Sequence, residues 1–298
     1  MKKVILILIC LSQNLWMNEA PVFQEIHHFF NGDLTNKEDK LNYLFNGRNI
    51  KFPEKLGITI AHQNREWDYN WFIFTLVAPT NIGAFGIGYS NYGSNMIPIV
   101  DSDSIGPYID SYSSDTFESI LLSYQPKLSE LNLVVLLNYK ARILVTEKAR
   151  ASGFDFQLSS DKFLNNLVGI RTRNLFMSEY KWSDGTKEEL AKYIGIYSNL
   201  PLSFTDKYGV NFNFNFFLEY DYSINYDEID MTTMGISLRF HDSISLFATY
   251  RTSSFVNTIE YGSFLKIRRH FFLSYSSQLE TYESFDQYIN AISIGVNF

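Results

Sequence analysis

Residues Val210–Tyr222 read VNFNFNFFLEYDY. The even positions, Val210, Phe212, Phe214, Phe216, Leu218, Tyr220 and Tyr222, are all apolar or aromatic. The odd ones, Asn211, Asn213, Asn215, Phe217, Glu219 and Asp221, are polar except for Phe217. Side chains alternate across a strand, so the stretch forms one strand with an oily face and a wet face. Soluble strands usually have about 5 or 6 residues, whereas a tilted transmembrane strand needs about 9 to 11. The length favours a strand that crosses lipid.

The same pattern recurs on both sides. Phe85, Ile87 and Tyr89 oppose Ala84, Gly86, Gly88 and Ser90, and Met234, Ile236, Leu238 and Phe240 oppose Thr233, Gly235, Ser237 and Arg239. In Leu131–Ile143 the odd positions are almost all aliphatic, with Asn132, Asn138, Lys140 and Arg142 on the other face. Phe154, Phe156 and Leu158 oppose Asp155, Gln157 and Ser159. At the end of the chain Tyr288, Ile292, Ile294, Val296 and Phe298 share one parity against Ala291, Ser293, Gly295 and Asn297. A last strand that stops at a terminal aromatic carboxylate resembles the C-terminal recognition strand of bacterial outer-membrane barrels, which implies contact with the barrel-assembly machinery. A soluble sandwich would pack such oily faces inward, whereas a membrane barrel turns them to lipid and lines its interior with the polar ones.

The count of segments favours the barrel. Strands are expected at 55–63, 68–78, 83–92, 114–124, 131–146, 152–159, 164–172, 189–198, 209–222, 229–240, 243–251, 255–264, 268–277 and 285–298. Fourteen is an even number, as a closed bacterial barrel requires. The expected fold is therefore all-β, a transmembrane antiparallel β-barrel of about 14 strands over residues 54–298. With the N-terminus periplasmic, the short turns fall near 79–82, 125–130, 160–163, 199–208, 241–242 and 265–267. The two longest connections, 93–113 and 173–188, are then external.

Lys2 and Lys3 before the apolar run Val4–Leu11 have the layout of a signal peptide, assigned to residues 1–19. Its removal takes away Cys10, the single cysteine, and with it disulfides and thiolate metal sites. Residues 20–53 do not alternate. Thr35 and Glu38 fit a capping box ahead of a short helix at 36–45, so this segment is either a periplasmic tail or a plug in the lumen.

Composition narrows the function. Hydrophobic residues are 46% of the chain, yet mean hydropathy is -0.12, because 26 Phe and 20 Tyr are spread among polar residues. Helical membrane proteins need runs of about 20 apolar residues. The net charge of -7 argues against a nucleic-acid partner. P-loop, GxSxG and HExxH patterns do not occur in the chain, so the common nucleotide, hydrolase and zinc signatures are missing. No enzyme activity, cofactor or metal is expected. His241-Asp242-Ser243 is the strongest alternative, a His-x-Ser pair of the kind an outer-membrane lipid hydrolase uses, but it falls at a periplasmic turn. Asp101–Gly106 begins like a calcium loop and fails at Ile105 and Tyr112, and adjacent His27 and His28 lack further ligands. Lys266, Arg268 and Arg269 cluster at a turn, and Trp67, Trp71, Tyr220 and Tyr222 are expected in an interfacial girdle. The expected lumen-facing binding residues are Asn132, Asn138, Lys140, Arg142, Asn211, Asn213, Asn215, Glu219 and Asp221.

The order of features resembles the PorV/PorQ branch of the FadL-like outer-membrane barrels. The likeness rests on Phe45-Asn46-Gly47-Arg48-Asn49-Ile50, then Pro53-Glu54-Lys55-Leu56 opening the first strand. It continues in Gly83–Tyr89 followed by Tyr92-Gly93, in Ala151-Ser152-Gly153-Phe154-Asp155-Phe156, and in Asn174-Leu175 before a loop. The resemblance implies a fourteen-stranded barrel with an N-terminal plug in the bacterial outer membrane. It implies a role in passing small hydrophobic or amphipathic molecules or in docking secreted cargo, with outer-membrane lipid, a hydrophobic solute or a secretion-system subunit as partners. The family's Asn-Pro-Ala-Gly box has lost its Pro and Ala here. A soluble secreted β-sandwich that binds a ligand is the remaining alternative.

Overall fold

The computed structural model describes residues 52–298, except residue 54 and the connections 65–69, 103–106, 129–130, 145–146, 164–165, 206–210, 226–229, 242, 255, 268–269 and 283–285. The expected signal peptide, the helix at 36–45, His27, His28, Trp67, Arg268 and Arg269 lie outside the described residues, as do most of the 20–53 segment and of the 101–106 loop.

The strands are β1 Gly57–Asn64, β2 Asn70–Pro79, β3 Gly83–Ser102, β4 Pro107–Pro126, β5 Asn132–Leu144, β6 Glu147–Phe163, β7 Asn166–Arg173, β8 Phe176–Met177, β9 Tyr180–Trp182, β10 Lys187–Glu188, β11 Tyr193–Thr205, β12 Asn211–Ser223, β13 Met231–His241, β14 Ile244–Thr252, β15 Val256–Lys266, β16 Phe271–Tyr282 and β17 Asp286–Asn297. Fourteen of them are long and each pairs antiparallel with its neighbour. The last closes on the first, with Gly57 opposite Asn297 through to Asn64 opposite Asn290. Closure removes the sheet edges that would otherwise pair with other chains. At the seam His270 and Asn297 exchange backbone and side-chain contacts, and the Phe298 amide donates to Leu56 O at 2.8 Å.

All fourteen expected strands are present. The end that holds Leu56 and Phe298, here the base, also holds the strand ends Pro79 and Gly83, Pro126 and Asn132, Phe163 and Asn166, Thr205 and Asn211, His241 and Ile244, and Lys266 and Phe271; the opposite end is the rim. Two expectations about length are corrected. Residues 93–102 and 107–113 are not a loop, because β3 and β4 stay paired past two bulges, at Ser94/Ile97 and Ile99/Val100, as far as Ser102 and Pro107. Residues 199–205 are not a turn: Pro201 sits inside β11, opposite Asn215. The pairing of β7 with β11 ends at Leu167 and Asn199, so Pro201 lies where β11 has become an edge, a position that tolerates the missing N–H.

The alternation fixes the faces as expected. Phe216, Leu218, Tyr220 and Tyr222 are exposed on the outside, whereas Phe217, Glu219, Asp221 and Ser223 are buried inside. The same outward apolar surface includes Ile87, Leu137, Ile196, Ile236, Leu246 and Ile294. Asn290, the polar exception on the last strand, accepts a hydrogen bond from Tyr275 Oη at 2.9 Å. Replacing Leu218, 55% exposed on the outer wall, with Arg is expected to cost about 2–4 kcal/mol if the site is near the bilayer midplane. Leu218→Phe should be neutral. Urea unfolding of liposome-inserted protein measures both, and an arginine as stable as the parent would contradict a lipid-facing stripe.

Trp71 departs from the expected girdle. It is 4% exposed and packs inside with Ala61, Ile73, Tyr92, Phe117 and Ala291. The stretch Trp71-Phe72-Ile73-Phe74 is apolar on both parities, so alternation could not assign its face; pairing to Gln63 and Tyr92 does. Tyr220 and Tyr222 are on the outer face, as expected.

Candidate functional site

The lumen is lined by three constellations, each held in place by strand register. The first is an ionic belt. Arg171 of β7, Gly195 of β11 and Asp221 of β12 lie directly opposite one another across three strands. With no side chain at 195, the Arg171 guanidinium reaches over β11 and meets Asp221 with two nitrogens: Nη2 to Oδ2 at 2.8 Å and Nε to Oδ1 at 3.3 Å. A Cβ on Gly195 would fall 2.1 Å from Asp221 Oδ1. Arg171 also pairs with Glu219, and Arg173 Nη2 lies 3.8 Å from Asp221. From Glu219 the next row of pairings runs Thr233, Arg251, Thr258, Glu280, an acid–threonine–arginine–threonine–acid sequence around the wall. Glu260, Arg173, Glu219 and Glu280 all act electrostatically on Arg251. These charges are 0–2% exposed, apart from Arg173. Buried charges persist where they are paired and hydrogen-bonded, and the belt supplies both signs side by side.

The second constellation holds a bend in the wall. Asn174 has φ +56°, a backbone state that suits Asn better than most residues. The Asp155 carboxylate of β6 accepts four hydrogen bonds around it: from Asn138 Nδ2 at 2.6 Å, Thr172 Oγ1 at 3.1 Å, and the amides of Asn174 and Leu175 at 3.0 and 3.1 Å. Lys140 Nζ donates to Asn174 Oδ1 at 2.9 Å, and Asn174 Nδ2 to Ala191 O at 3.0 Å. Past this bend β7 stops, and only the short β8, β9 and β10 continue the wall toward the rim. β8 and β9 pair with β6, and β10 with β9. Residues 189–192 belong to no ladder. Behind this irregular stretch lies an apolar cluster of Ala149, Ala151, Met177, Tyr180 and Leu190. The connection expected as an open external loop, 173–188, is therefore partly wall. Its turn is held by Thr186, whose amide and hydroxyl donate to Asp184 Oδ1 at 2.8 and 2.7 Å, which keeps the Asp184 carboxyl below the usual carboxylate range.

The third is an aromatic row at the rim half of the lumen. Gln63, Trp71, Tyr92, Phe117, Arg142, Ala149 and Trp182 are successive cross-strand partners. Trp71 meets Tyr92 edge-on at 5.3 Å and Tyr92 lies 6.2 Å from Phe117. The Arg142 guanidinium sits 4.6 Å from the Phe117 ring and 5.6 Å from that of Trp182, a cation between two π faces. Asp115 and Glu188 neutralise it, each at 3.5 Å.

The expected lumen residues divide among these groups. Asn138, Lys140 and Arg142 join the bend and the aromatic row, while Glu219 and Asp221 join the belt. Asn132, Asn213 and Asn215 share the inward parity nearer the base and are half-buried; Asn132 Oδ1 accepts from Gln125 and Asn213 Oδ1 from Ser203. Asn211 shares their parity, but its side chain lies outside the described residues. Sequence reading missed Arg171, Arg173, Arg251, Asp115, Glu260 and Glu280, and it placed Asp155 on the polar face of its strand without assigning it to a site. Ile170-Arg171-Thr172 and Tyr250-Arg251-Thr252 alternate as plainly as the quoted strand, so parity would have placed both arginines inside. The His-x-Ser alternative sits at the β13–β14 hairpin at the base, with Asp242 outside the described residues.

No family model matches the chain, and no curated protein matches it in sequence. Among solved structures it is similar to the CymD monoaromatic hydrocarbon channel, at 11% identity and TM-score 0.57, with 93% of this chain and 97% of that one covered. It is also similar to the Ralstonia pickettii toluene transporter TbuX, at 10% identity and TM-score 0.50, covering 82% and 88%. At such identities the likeness is one of fold: a closed fourteen-stranded barrel of the outer-membrane kind.

Proposed function

We propose that this chain is a non-catalytic outer-membrane channel that passes small hydrophobic or amphipathic molecules, with its rim facing outward. The observation that carries the reading is the wall at 174–192, where regular pairing gives way in front of the apolar cluster of Ala149, Ala151, Met177, Tyr180 and Leu190. An apolar solute entering at the rim meets the aromatic row, then the ionic belt deeper in the lumen, which disfavours it by the cost of separating paired buried charges. The apolar stretch of wall offers it a sideways exit to lipid. The transport roles in the names of the CymD and TbuX structures agree with this. Barrel assembly through the last strand, with Tyr288, Ile292, Ile294 and Phe298 exposed outward, belongs to the same proposal.

The test is uptake of a radiolabelled alkylbenzene by cells that depend on this chain. Ala151→Phe fills the cluster behind the wall and is expected to reduce uptake about tenfold, the effect of a barrier rise near 1.4 kcal/mol. The variant should still run as a folded barrel in an unheated gel. Undiminished uptake with a folded variant contradicts the sideways exit.

Docking of secreted cargo, the role of the PorV branch, is a second reading. The long β3–β4 hairpin, with 20 residues in each strand, favours it by offering an extended surface. Deleting residues 95–111 would then abolish cargo pull-down and spare uptake.

A further inference from the structure

The outer wall beside the bend carries an unusual row of charge. Arg150 of β6 lies directly opposite Lys181 of β9, and Lys181 directly opposite Lys187 of β10. All three are exposed, on the parity opposite to Ala149, Trp182 and Glu188, which face the lumen. Like charges directly opposite each other on a sheet destabilise the pairing. Adjacent strands are roughly 4.8 Å apart, so three cations fall within about 10 Å, close to one screening length at physiological salt. Lys148, also exposed, lies on the same parity two residues nearer the rim.

The nearby acids offset the row only in part, and the exposed Asp184 of the adjoining turn accepts from Thr186. Glu179 pairs with Lys187 at 3.4 Å. Glu147 accepts from Ser183, Glu188 turns inward to Arg142 and Trp182, and Glu118, two strands away from Arg150, accepts from Asn91. Among the described residues Lys148, Arg150 and Lys181 form no ion pair. The same outer face holds apolar rings immediately baseward: Phe154 and Phe176 stack at 4.6 Å, with Phe156 at 6.2 Å from Phe176. Arg150 and Phe154 are four residues apart, about 13 Å of strand. The cations thus cap an apolar stripe, in the order in which headgroups follow acyl chains.

We propose that Arg150, Lys181 and Lys187, with Lys148 beside them, bind the phosphate groups of the phosphorylated glycolipid in the outer leaflet, its acyl chains lying on Phe154, Phe156 and Phe176. Phosphate oxygens accept charge-assisted hydrogen bonds from Arg and Lys, and two phosphates on one sugar backbone match a row of cations better than separate single-charge headgroups do. This rests on the outer-membrane reading with the rim outward. The bound lipid would cover the outside of the irregular wall, where the proposed exit lies.

The experiment titrates purified barrel in detergent with bis-phosphorylated lipopolysaccharide, with its dephosphorylated form, with phosphatidylglycerol and with inorganic phosphate, read by native mass spectrometry. Each basic side chain near a membrane surface contributes several-fold, so Arg150→Gln/Lys181→Gln/Lys187→Gln should weaken lipopolysaccharide binding about a hundredfold. Lys55→Gln, at the base, should leave it unchanged. If the triple variant does not give a folded band, Lys181→Gln breaks the row at its centre and should show a several-fold loss. Equal binding by the folded variant and the parent overturns the proposal, as does equal binding of the dephosphorylated lipid, of phosphatidylglycerol or of free phosphate. Cell fractionation is read separately. A chain found outside the outer membrane would sink the functional reading, whereas a chain found there with unchanged variant binding would sink this one alone.

Discussion

Arg171→Met is expected to prevent recovery of a folded barrel. The guanidinium is 1% exposed and joins Glu219 and Asp221, themselves 1% exposed. Its loss takes from Glu219 and Asp221 the cation they share, and removing one partner of a buried ion pair typically costs 3–5 kcal/mol. That is a large share of the stability of an ordinary domain. The same physics supplies the control. Arg171→Met combined with Glu219→Gln and Asp221→Asn leaves neutral groups that need no counter-ion, so the triple variant should regain much of the loss. Heat-modifiability gels and urea midpoints measure both. A single variant as stable as the parent, or a triple variant no better than the single, would show that the belt does not hold this wall together.

The second large effect concerns closure of the sheet. Phe272 of β16 lies against Gly295 of β17, and a Cβ at 295 would come 1.9 Å from Phe272 Cζ. Gly295 is also opposite Thr59 of β1, so β17 cannot move away from the ring without disturbing the seam. Gly295→Val is therefore expected to block barrel closure, well beyond the roughly 1–3 kcal/mol of ordinary overpacking. Gly295→Val/Phe272→Ala removes the obstacle and should restore a heat-modifiable band. Failure of the double variant would mean that the glycine serves some purpose other than making room for the ring.

The strands were legible because alternation is a local property. Val210–Tyr222 shows its faces without reference to any other part of the chain, and so does Ile292–Phe298. Where the chain is apolar on both parities, as at Trp71–Phe74, the face depends on register with neighbours and the sequence is silent. Pro201 and the stretches 93–102 and 107–113 differ from expectation for a related reason: turn-forming residues end a strand only where no pairing partner holds them extended. In the lumen, Glu219 and Asp221 were recognisable as inward. Their cation was not, since Arg171 is distant in sequence and meets them only because Gly195 stands between. The Asp155 clasp likewise joins β6 to a backbone bend: the sequence marks Asp155 and Asn174-Leu175 separately, and only the fold shows that they meet. A lumen site is built from rows that cross strands, and such rows appear once register is known.

The belt has an electrical consequence. Arg171, Arg173 and Arg251 stand beside Glu219, Asp221, Glu260 and Glu280, so positive and negative fields nearly offset one another around that part of the wall. Ion-selective pores instead use rings of a single sign to draw one kind of ion through. The belt presents neither a ring of one sign nor a continuous track of like charge. Under the proposed function, such a belt would leave the passage without a preference for either sign of charge, so that neutral molecules could cross without an accompanying ion current.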